Sequence, residues 1–378
     1  MLLRRINQRI LTMKIKEVLD YFEELVPRAY QESYDNSGLL VGEVNNELSS
    51  CLIALDCTEE IIDEAINIGA NLVVAHHPII FGGLKSLTGK NYVERTVLKA
   101  IKNDVAIFVA HTNLDNVNFG VSKKICDKLQ LQKTKVLAPK TNLLIKLEIY
   151  VPVTHSEILR DELSKAGAGS IGDYDSCSFS VSGEGRFRGK DNAKPFVGEV
   201  GKLTTVQELK IEVVFPKHLS NKILSVMKEV HPYEEVAYYL TDLSNQYQEV
   251  GSGMFGELKE GLPLQDFLAY LKEKMGLKSI RYTTYQPDAI IKKVAVCGGA
   301  GSFMLNNAKA VRADIFVTGD FKYHEFFDAE DHIVIADIGH YESEVFTKEL
   351  FYELMTKKFP NIAVALAKTS TNPIDYYS

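Results

Sequence analysis

Uninterrupted apolar runs, separated by segments with helical periodicity, dominate the first third of the sequence. The runs at 72–75 and 105–110 contain no polar residue. A strand with one face in water alternates apolar and polar residues, so an uninterrupted run predicts a strand that is covered on both faces. Helical segments at 59–68 and 92–102 separate the strands, as in βαβ units. The sequence therefore predicts an α/β fold with a parallel sheet.

The middle of the sequence has a different order of elements. Its patterns predict strand, helix, strand, strand, helix, strand, which is the split βαβ order of ferredoxin-like domains. Polar residues at 139–142 and 244–246 border this stretch, and the last third returns to the pattern of the first. We predict two α/β halves of one domain, 13–140 and 246–378, interrupted by a ferredoxin-like insert at 141–245.

Composition limits the classes of partner and compartment. The chain has 378 residues with 43 basic and 50 acidic side chains, a net charge of −7, so it lacks the broad basic surface that binds nucleic acid or anionic lipid. No apolar stretch reaches the ~18 uncharged residues of a membrane span. The five cysteines are scattered without a CxxC pair, which argues against disulfides and a thiolate zinc site. We expect a cytoplasmic protein without membrane or nucleic-acid partners.

The first twelve residues differ from the rest of the chain. They carry Arg4, Arg5 and Arg9 with no acid, and Met13 precedes an amphipathic helical pattern. A targeting segment has this composition, but the stretch lacks the apolar core of a secretory signal. We expect 1–12 to be a disordered arm or a misassigned start, with a targeting segment as the alternative.

The strongest local signal is a pair of adjacent histidines, His76 and His77, followed by Pro78. They come directly after the predicted strand at 71–75, and ligands of parallel sheets gather beyond the carboxyl ends of the strands. Neighbouring side chains of an extended chain point in opposite directions. Both rings can therefore serve one site only if the backbone turns there or two metal ions are bound. The alternative is a pair of solvated loop histidines.

Two further predicted strands end in the same way. His111 and Asp115 follow the second apolar run named above, and His340 and Glu344 follow a strand predicted at 332–336. His340 and Glu344 are one helical turn apart, close enough to bind the same ion. Each carboxylate also has an ordinary explanation: Asp115 could cap a helix, and Glu344 could be a first-turn acid favoured by the helix dipole.

Three strand ends that each supply histidines or carboxylates favour a metal site built from distant segments. Imidazole with carboxylate is the donor mix of Zn²⁺, Mn²⁺, Fe²⁺ and Co²⁺ sites, and the pattern does not choose among these ions. With several histidines and two carboxylates available, two cations sharing a carboxylate are favoured over one. Such pairs lie about 3.5–4 Å apart in two-metal hydrolytic sites.

Other segments carry weaker signals, each with two interpretations. The glycine-rich stretch 298–302 could present backbone N–H groups to a phosphate or could allow tight packing. His324, after the predicted strand at 314–318, could assist the metal site or be structural. The turn at 35–38 could line a pocket or only connect elements. His231 ends a helix before a proline, and we do not expect it to bind metal.

Five motifs occur together along the chain. They are Asp35-Asn36-Ser37-Gly38-Leu39, Ala75-His76-His77-Pro78, His111-Thr112-Asn113-Leu114-Asp115, Thr318-Gly319-Asp320 with His324, and Gly339-His340 with Glu344. In this combination and order they resemble the Nif3-like family, whose members are usually named GTP cyclohydrolase I type 2 homologues. The likeness runs from about residue 13 to the C-terminus. The central stretch resembles the P-II/CutA-like insert of the family's longer members.

The resemblance implies a dinuclear metal site. His77 and Asp115 would hold one cation and His76 and His340 the other, while Glu344 would span both. All five positions carry the residue type that the family pattern requires. The resemblance therefore implies two divalent cations as cofactors.

The resemblance also implies a function. It points to a metal-dependent hydrolase that opens the purine ring of GTP, with His111 and His324 as catalytic pocket residues that move protons. The alternatives are a metal-dependent phosphoesterase acting on a nucleotide-like substrate and a non-catalytic metal-binding regulatory scaffold. The resemblance further implies a homohexamer whose other partner is a small molecule, such as a nucleotide.

Overall fold

The computed structural model describes residues 13–283 and 289–377. The arm or misassigned start expected at 1–12 lies outside the described residues. By its internal contacts the chain forms two compact units. The outer unit combines Met1–Ala138 with Val250–Ser378, and the middle unit is Pro139–Glu249.

The first sheet of the outer unit has five strands. They are β1 (Gly38–Val41), β2 (Ser50–Ala54), β3 (Leu72–Ala75), β4 (Ala106–Val109) and β15 (Ala363–Leu366). Their order is β1-β4-β3-β2-β15. The strands from β15 to β4 are parallel, and β1 pairs antiparallel with β4. Every residue of β3 and β4 is buried, as expected for uninterrupted apolar runs.

Helices cover both faces of this sheet. They are α1 (Ile15–Leu25), α2 (Glu59–Ile68), α3 (Tyr92–Lys102) and α11 (Thr347–Lys358). On one face, Ile61 of α2 packs in a core cluster with Val73 of β3. On the other, the Phe22 ring of α1 lies 5.2 Å from the Phe108 ring of β4 and 5.7 Å from the Phe351 ring of α11. The two helical layers fix the positions at which the parallel strands end.

A second sheet has six strands. They are β5 (Gln132–Lys140), β10 (Tyr247–Pro263), β11 (Arg281–Tyr282), β12 (Ile290–Ala300), β13 (Ile315–Gly319) and β14 (Val334–Asp337). Their order is β11-β14-β13-β12-β10-β5. Strands β12, β13 and β14 are parallel, while β10 and β11 run antiparallel to β12 and β14. Helix α8 (Leu264–Met275) packs on one face through Phe267, and α9 (Leu305–Ala310) on the other through Leu305.

The middle unit contains six main elements. They are β6 (Leu144–Pro152), α6 (Ser156–Lys165), β7 (Phe179–Arg188), β8 (Leu203–Pro216), α7 (Ser220–Val230) and β9 (Tyr238–Leu243). The four strands form an antiparallel sheet in the order β7-β8-β6-β9. Leu159 of α6 and Ile223 of α7 pack with Leu147 of β6 in one core cluster.

Three short helices remain in the outer unit, α4 (Thr112–Asp115), α5 (Val121–Lys128) and α10 (His340–Glu344). Helix α4 follows β4 and α10 follows β14, so each lies at the carboxyl end of a buried parallel strand.

The predicted mixed α/β class is confirmed. Among the described residues, no helix combines the length and the apolar composition needed to cross a membrane.

Candidate metal centre

The adjacent histidines lie where the chain leaves strand β3. The backbone N–H groups of His76 and His77 both donate to the carbonyl oxygen of Leu55, at 3.0 and 2.9 Å. Because two successive N–H groups reach the same acceptor, the backbone is no longer a regular strand at this point. The two rings lie together, with their centroids 4.9 Å apart. The turn that a shared site requires is therefore present.

Glu344 lies at the centre of the cluster and is only 3% exposed. Its Oε2 atom is 2.8 Å from His77 Nε2 and 3.0 Å from His340 Nε2. Its Oε1 atom is 3.8 Å from His76 Nε2. Asp115, the last residue of α4, has its Oδ1 atom 3.5 Å from His76 Nε2. The structure thus brings all five predicted ligand residues together from three distant segments.

A hydrogen bond at Nδ1 orients each ligand histidine. Nδ1 of His77 is 2.7 Å from Asp56 Oδ1, and Nδ1 of His340 is 2.7 Å from Asp320 Oδ2. Nδ1 of His76 is 3.0 Å from a backbone carbonyl oxygen just beyond β4. Since these oxygens accept hydrogen bonds, each Nδ1 donates and each Nε2 faces the cluster. Metal-binding histidines in proteins commonly have this arrangement.

Two buried atoms of the cluster, His76 Nε2 and Asp115 Oδ1, lack a hydrogen-bond partner. Because Nδ1 of His76 donates to a carbonyl oxygen, the neutral ring presents a lone pair at Nε2. That lone pair faces the carboxylate oxygen 3.5 Å away. Two buried acceptors that face each other cost free energy unless a cation or a proton lies between them. The donor set therefore fits a metal ion.

The charges of the cluster perturb the pKa values of its members. Burial lowers the pKa of His77, but hydrogen bonds to two carboxylates outweigh it and raise the pKa to about 10. At His340, hydrogen bonds to Glu344 and Asp320 likewise outweigh the effect of burial and raise the pKa to about 9. Burial and the charge of Glu344 raise the pKa of Asp115. At Glu344, hydrogen bonds with His340 and His77 overcome burial and lower the pKa.

The described residues contain three sets of donor atoms, and within each set all the atoms lie within 4.8 Å of one another. The sets are His77, His340 and Glu344; His76, Asp115 and Glu344; and His76, His77 and His111. In these sets His77 groups with His340 and Glu344 and, separately, with His76 and His111, while the sharing of one cation by His77 and Asp115, which the resemblance implies, stays a prediction. One helical turn separates His340 from Glu344, so α10 presents both to the same ring. Glu344 belongs to two of the sets, as a bridging carboxylate would.

A cavity of about 1170 Å³ opens over the cluster. Its lining includes His77, His111, Asp115, His340 and Glu344. A cavity of this size and position can hold a small organic molecule next to the donor atoms.

The two histidines predicted to be catalytic have different positions. His111 lines the cavity, and its Nδ1 is 2.7 Å from Oδ1 of Asp35, whose side chain is fully buried. His324 is exposed, and its ring packs against Tyr323 and Phe327. Among the described residues, His324 is not part of the cavity lining. The structure therefore brings His111, but not His324, to the cluster.

The glycine-rich stretch packs tightly against the cluster. The N–H group of Gly299 donates to Ser343 Oγ at 2.9 Å, and its carbonyl oxygen accepts from Thr318 Oγ1 at 3.1 Å. A Cβ atom at Gly299 would lie 2.3 Å from Glu344 Oε1. Both backbone groups of Gly299 are engaged within the protein, so tight packing is the correct interpretation here. Its effect is to leave room for the Glu344 carboxylate.

The remaining weak candidates have different roles. The predicted turn at 35–38 contributes the carboxylate that holds His111. His231 lies in the middle unit, where its Nε2 is 3.0 Å from the carbonyl oxygen of Tyr150. None of the donor sets found among the described residues includes His231.

Sequence reasoning gave no role to two carboxylates that orient the candidate ligand histidines: Asp56, which it did not single out, and Asp320, which it named only as part of a motif. Asp56 lies two residues beyond β2 and Asp320 directly follows β13. Both therefore obey the rule that identified the other site residues, an acid or histidine just beyond a buried parallel strand. Applying that rule to every predicted strand end, and not only to those with histidine, would have found them.

Comparisons with known proteins support the family resemblance that the five sequence motifs indicate. The family Duf34/NIF3 (NGG1p interacting factor 3) matches residues 13–373. A Bacillus subtilis (strain 168) protein named GTP cyclohydrolase 1 type 2 homolog is 38% identical over 96% of this chain and 98% of its own length. A protein of the same name from Staphylococcus aureus (strain MW2) is 33% identical over 96% of this chain and 100% of its own.

Solved structures are also similar. A Bacillus cereus protein related to NIF3 has a TM-score of 0.85 and 37% identity, covering 97% of this chain and 100% of its own. A Staphylococcus aureus protein has a TM-score of 0.77 and 29% identity, covering 97% of this chain and 99% of its own. With a family match that spans nearly the whole chain, this protein belongs to the DUF34/NIF3 family.

Proposed function

We propose that this protein binds two divalent cations and uses them to hydrolyse a small molecule. The ligands would be His76, His77, Asp115, His340 and Glu344, with Glu344 shared between the cations. The observation that carries the proposal is the pair of buried, unpartnered acceptor atoms on His76 and Asp115. These donor types suit Zn²⁺, Fe²⁺, Mn²⁺ and Co²⁺ alike.

Each surrounding residue has a distinct task in this proposal. When bound, a pair of divalent cations supplies Lewis acidity and makes water nucleophilic near neutral pH. Asp56 and Asp320 keep the Nε2 atoms of two ligand histidines turned toward the cations. His111, fixed at Nδ1 by Asp35, would take up and return protons at Nε2. The cavity holds the substrate next to these groups.

The reaction we propose is hydrolytic opening of a purine ring. Relatives of this chain carry the name GTP cyclohydrolase 1 type 2 homolog, and the donor set fits metal-assisted hydrolysis. Water would add at C8 of the purine and the C8–N9 bond would break. A second water would then hydrolyse the resulting formamide and release C8 as formate. The proton taken from water would pass through His111 to the departing nitrogen.

The first experiment measures products. With Zn²⁺, Fe²⁺, Mn²⁺ or Co²⁺ added, we expect the protein to release formate from GTP at a rate that depends on the metal. Release of inorganic phosphate without formate would favour a phosphoesterase, since two-metal sites also promote displacement at phosphorus. No turnover with any metal would favour a non-catalytic regulatory scaffold and contradict the proposal.

Two matched histidine variants refine this experiment. His111→Ala should slow formate release by about 100-fold or more, as expected for loss of a general acid–base group. His324→Ala is the control, because His324 lies outside the described cavity lining. Equal losses in the two variants would show that His111 has no special part in proton transfer.

Metal binding is expected to release protons. His77 and His340, with pKa values of about 10 and 9, carry protons at neutral pH and must lose them to become ligands. Asp115, whose pKa is raised to about 8, must also lose its proton. We therefore expect release of about two to three protons per chain at neutral pH, and an affinity that rises with pH up to about pH 9 or 10. Isothermal titration calorimetry in buffers of different ionisation enthalpy measures this number.

A variant provides the control for proton release. Asp320→Asn removes a carboxylate that raises the pKa of His340, so fewer protons should be released at neutral pH. A parent protein that binds metal without releasing protons would contradict the assignment of both histidines as ligands.

Assembly and location also belong to this proposal. We propose a homohexamer on the basis of the family resemblance, with a small molecule as the other partner. A cytoplasmic location is supported by the five cysteines, all of which are free.

A further inference from the structure

The ionisable side chains that give the cavity its charge are, as far as the described residues go, carboxylates and histidines. Among the described residues that line it, none is Lys or Arg, whereas Glu32, Asp56, Asp115 and Glu344 are carboxylates. Two divalent cations would balance these four negative charges. A triphosphate would bring several further negative charges into the cavity. No lysine or arginine side chain lines the described cavity to pair with those charges.

Some of the backbone groups that commonly bind phosphate already have partners within the chain here. Helices α2 and α3 begin at the cavity, and helix N-termini are frequent phosphate sites. Thr58 caps α2 by accepting from the N–H of Ile61, and Asn91 caps α3 by accepting from the N–H of Glu94. The Glu94 carboxylate in turn accepts from the three successive backbone N–H groups at 88–90. At each helix start, therefore, an oxygen of the chain itself already accepts from one N–H group of the first turn, and beside α3 the Glu94 carboxylate takes the position that an anion would occupy on the loop at 88–90.

Aromatic side chains line the cavity instead. Tyr34, Phe81, Tyr92 and Phe303 all belong to the lining, yet each is more than half exposed. The Phe81 ring stands edge-on to His111, with centroids 5.7 Å apart and planes at 89°. Exposed apolar side chains grouped at a cavity mark a binding site, and aromatic faces stack on the planar rings of bases.

We infer that the substrate is a compact planar heteroaromatic compound, of the class of nucleobases and nucleosides, that is held by its ring. The aromatic residues Phe81, Tyr92 and Phe303 provide the stacking surfaces, and a phosphate chain adds nothing to the affinity. For the chemistry performed on the ring, this inference rests on the proposed function. For recognition of the ring, it rests on the charge and shape of the cavity.

The test compares the affinities of guanosine, GTP and inorganic triphosphate. Isothermal titration calorimetry at constant ionic strength, with and without added Zn²⁺, measures each of them. We expect guanosine to bind at least as tightly as GTP, and triphosphate not to displace it. Phe81→Ala and Phe303→Ala should each weaken guanosine binding by about tenfold and leave the metal content unchanged.

Phe327→Ala is the matched control. Phe327 is 66% exposed and Phe303 is 67% exposed, but Phe327 is not part of the described cavity lining, so its removal should leave guanosine binding unchanged. Four results would overturn the inference: absence of guanosine binding, aromatic variants that bind like the parent, displacement by triphosphate, or GTP bound more than tenfold tighter than guanosine. A protein that binds guanosine as expected but hydrolyses no purine would contradict only the proposed function.

Discussion

Glu344→Ala is expected to weaken divalent-cation binding by more than about 100-fold, because residues that merely support metal ligands already contribute ~10–100-fold. Glu344 belongs to two donor sets, and its Oε2 atom lies within 3.0 Å of both His77 Nε2 and His340 Nε2. Its loss would therefore remove a ligand from both proposed cations at once. Elemental analysis after dialysis, followed by competition with a chelator, measures the effect.

The control for this substitution lies on the same short helix. Glu342→Ala removes a carboxylate that accepts from Asn372 Nδ2 at 3.1 Å and belongs to none of the donor sets in the described part of the chain. We expect it to retain the metal content of the parent. The circular dichroism spectra of both variants should match the parent, because neither glutamate belongs to the sheet cores. Parent-like metal affinity in Glu344→Ala would show that Glu344 is not a ligand.

Local sequence patterns predicted the two helices that begin at the cavity. The helix expected at 92–102 has those bounds in the structure, since Asn91 caps its first turn. The helix expected at 59–68 is bounded by the Thr58 cap and by Gly69 in the left-handed conformation. Caps and apolar periodicity depend on neighbouring residues only, and for this reason they can be recognised without knowing the fold.

Elements that depend on tertiary contacts were missed. Strand β10 spans Tyr247–Pro263, and its glycines at 251, 253, 256 and 261 interrupt the alternating pattern, because glycine has no side chain to pack against a sheet. Strand β15 lies near the end of the second half of the chain but pairs with β2 of the first sheet. No local pattern specifies which sheet a short apolar strand will join.

The candidate site could be predicted in its residue types, but not in which of its rings lie next to each other. Strand ends identified the five ligand candidates, since parallel strands place their carboxyl ends along one edge of a sheet. The pairing of His77 with His340 depends on how two sheets meet, which sequence spacing does not encode. His324 had a similar sequence context, yet the chain turns at Asp320, whose φ is +60°, and His324 is exposed.

Gly299→Ala is expected to weaken metal binding by about 10–100-fold, the range found when the support of a metal ligand is disturbed, although Gly299 itself has no donor side chain. Its new Cβ atom would lie 2.3 Å from Glu344 Oε1 and 3.3 Å from His340 Cε1. The first contact is too short to exist and the second is tighter than usual, so the Glu344 carboxylate must move away from the donor sets that it joins. Metal affinity measured by chelator competition, with the Glu344→Ala variant as reference, tests this expectation.

Backbone strain must be separated from this crowding, and Gly276 allows it. Gly299 and Gly276 share a φ of +65°, but a Cβ atom at Gly276 would meet nothing within 4 Å. Each alanine substitution should lower the free energy of unfolding by about 1 kcal/mol, because L-residues disfavour the left-handed region. Only Gly299→Ala should also lose metal affinity. Equal metal affinity in the two variants would mean that the Glu344 carboxylate does not need the space beside Gly299, and that its position in the cluster is not the one that binds metal.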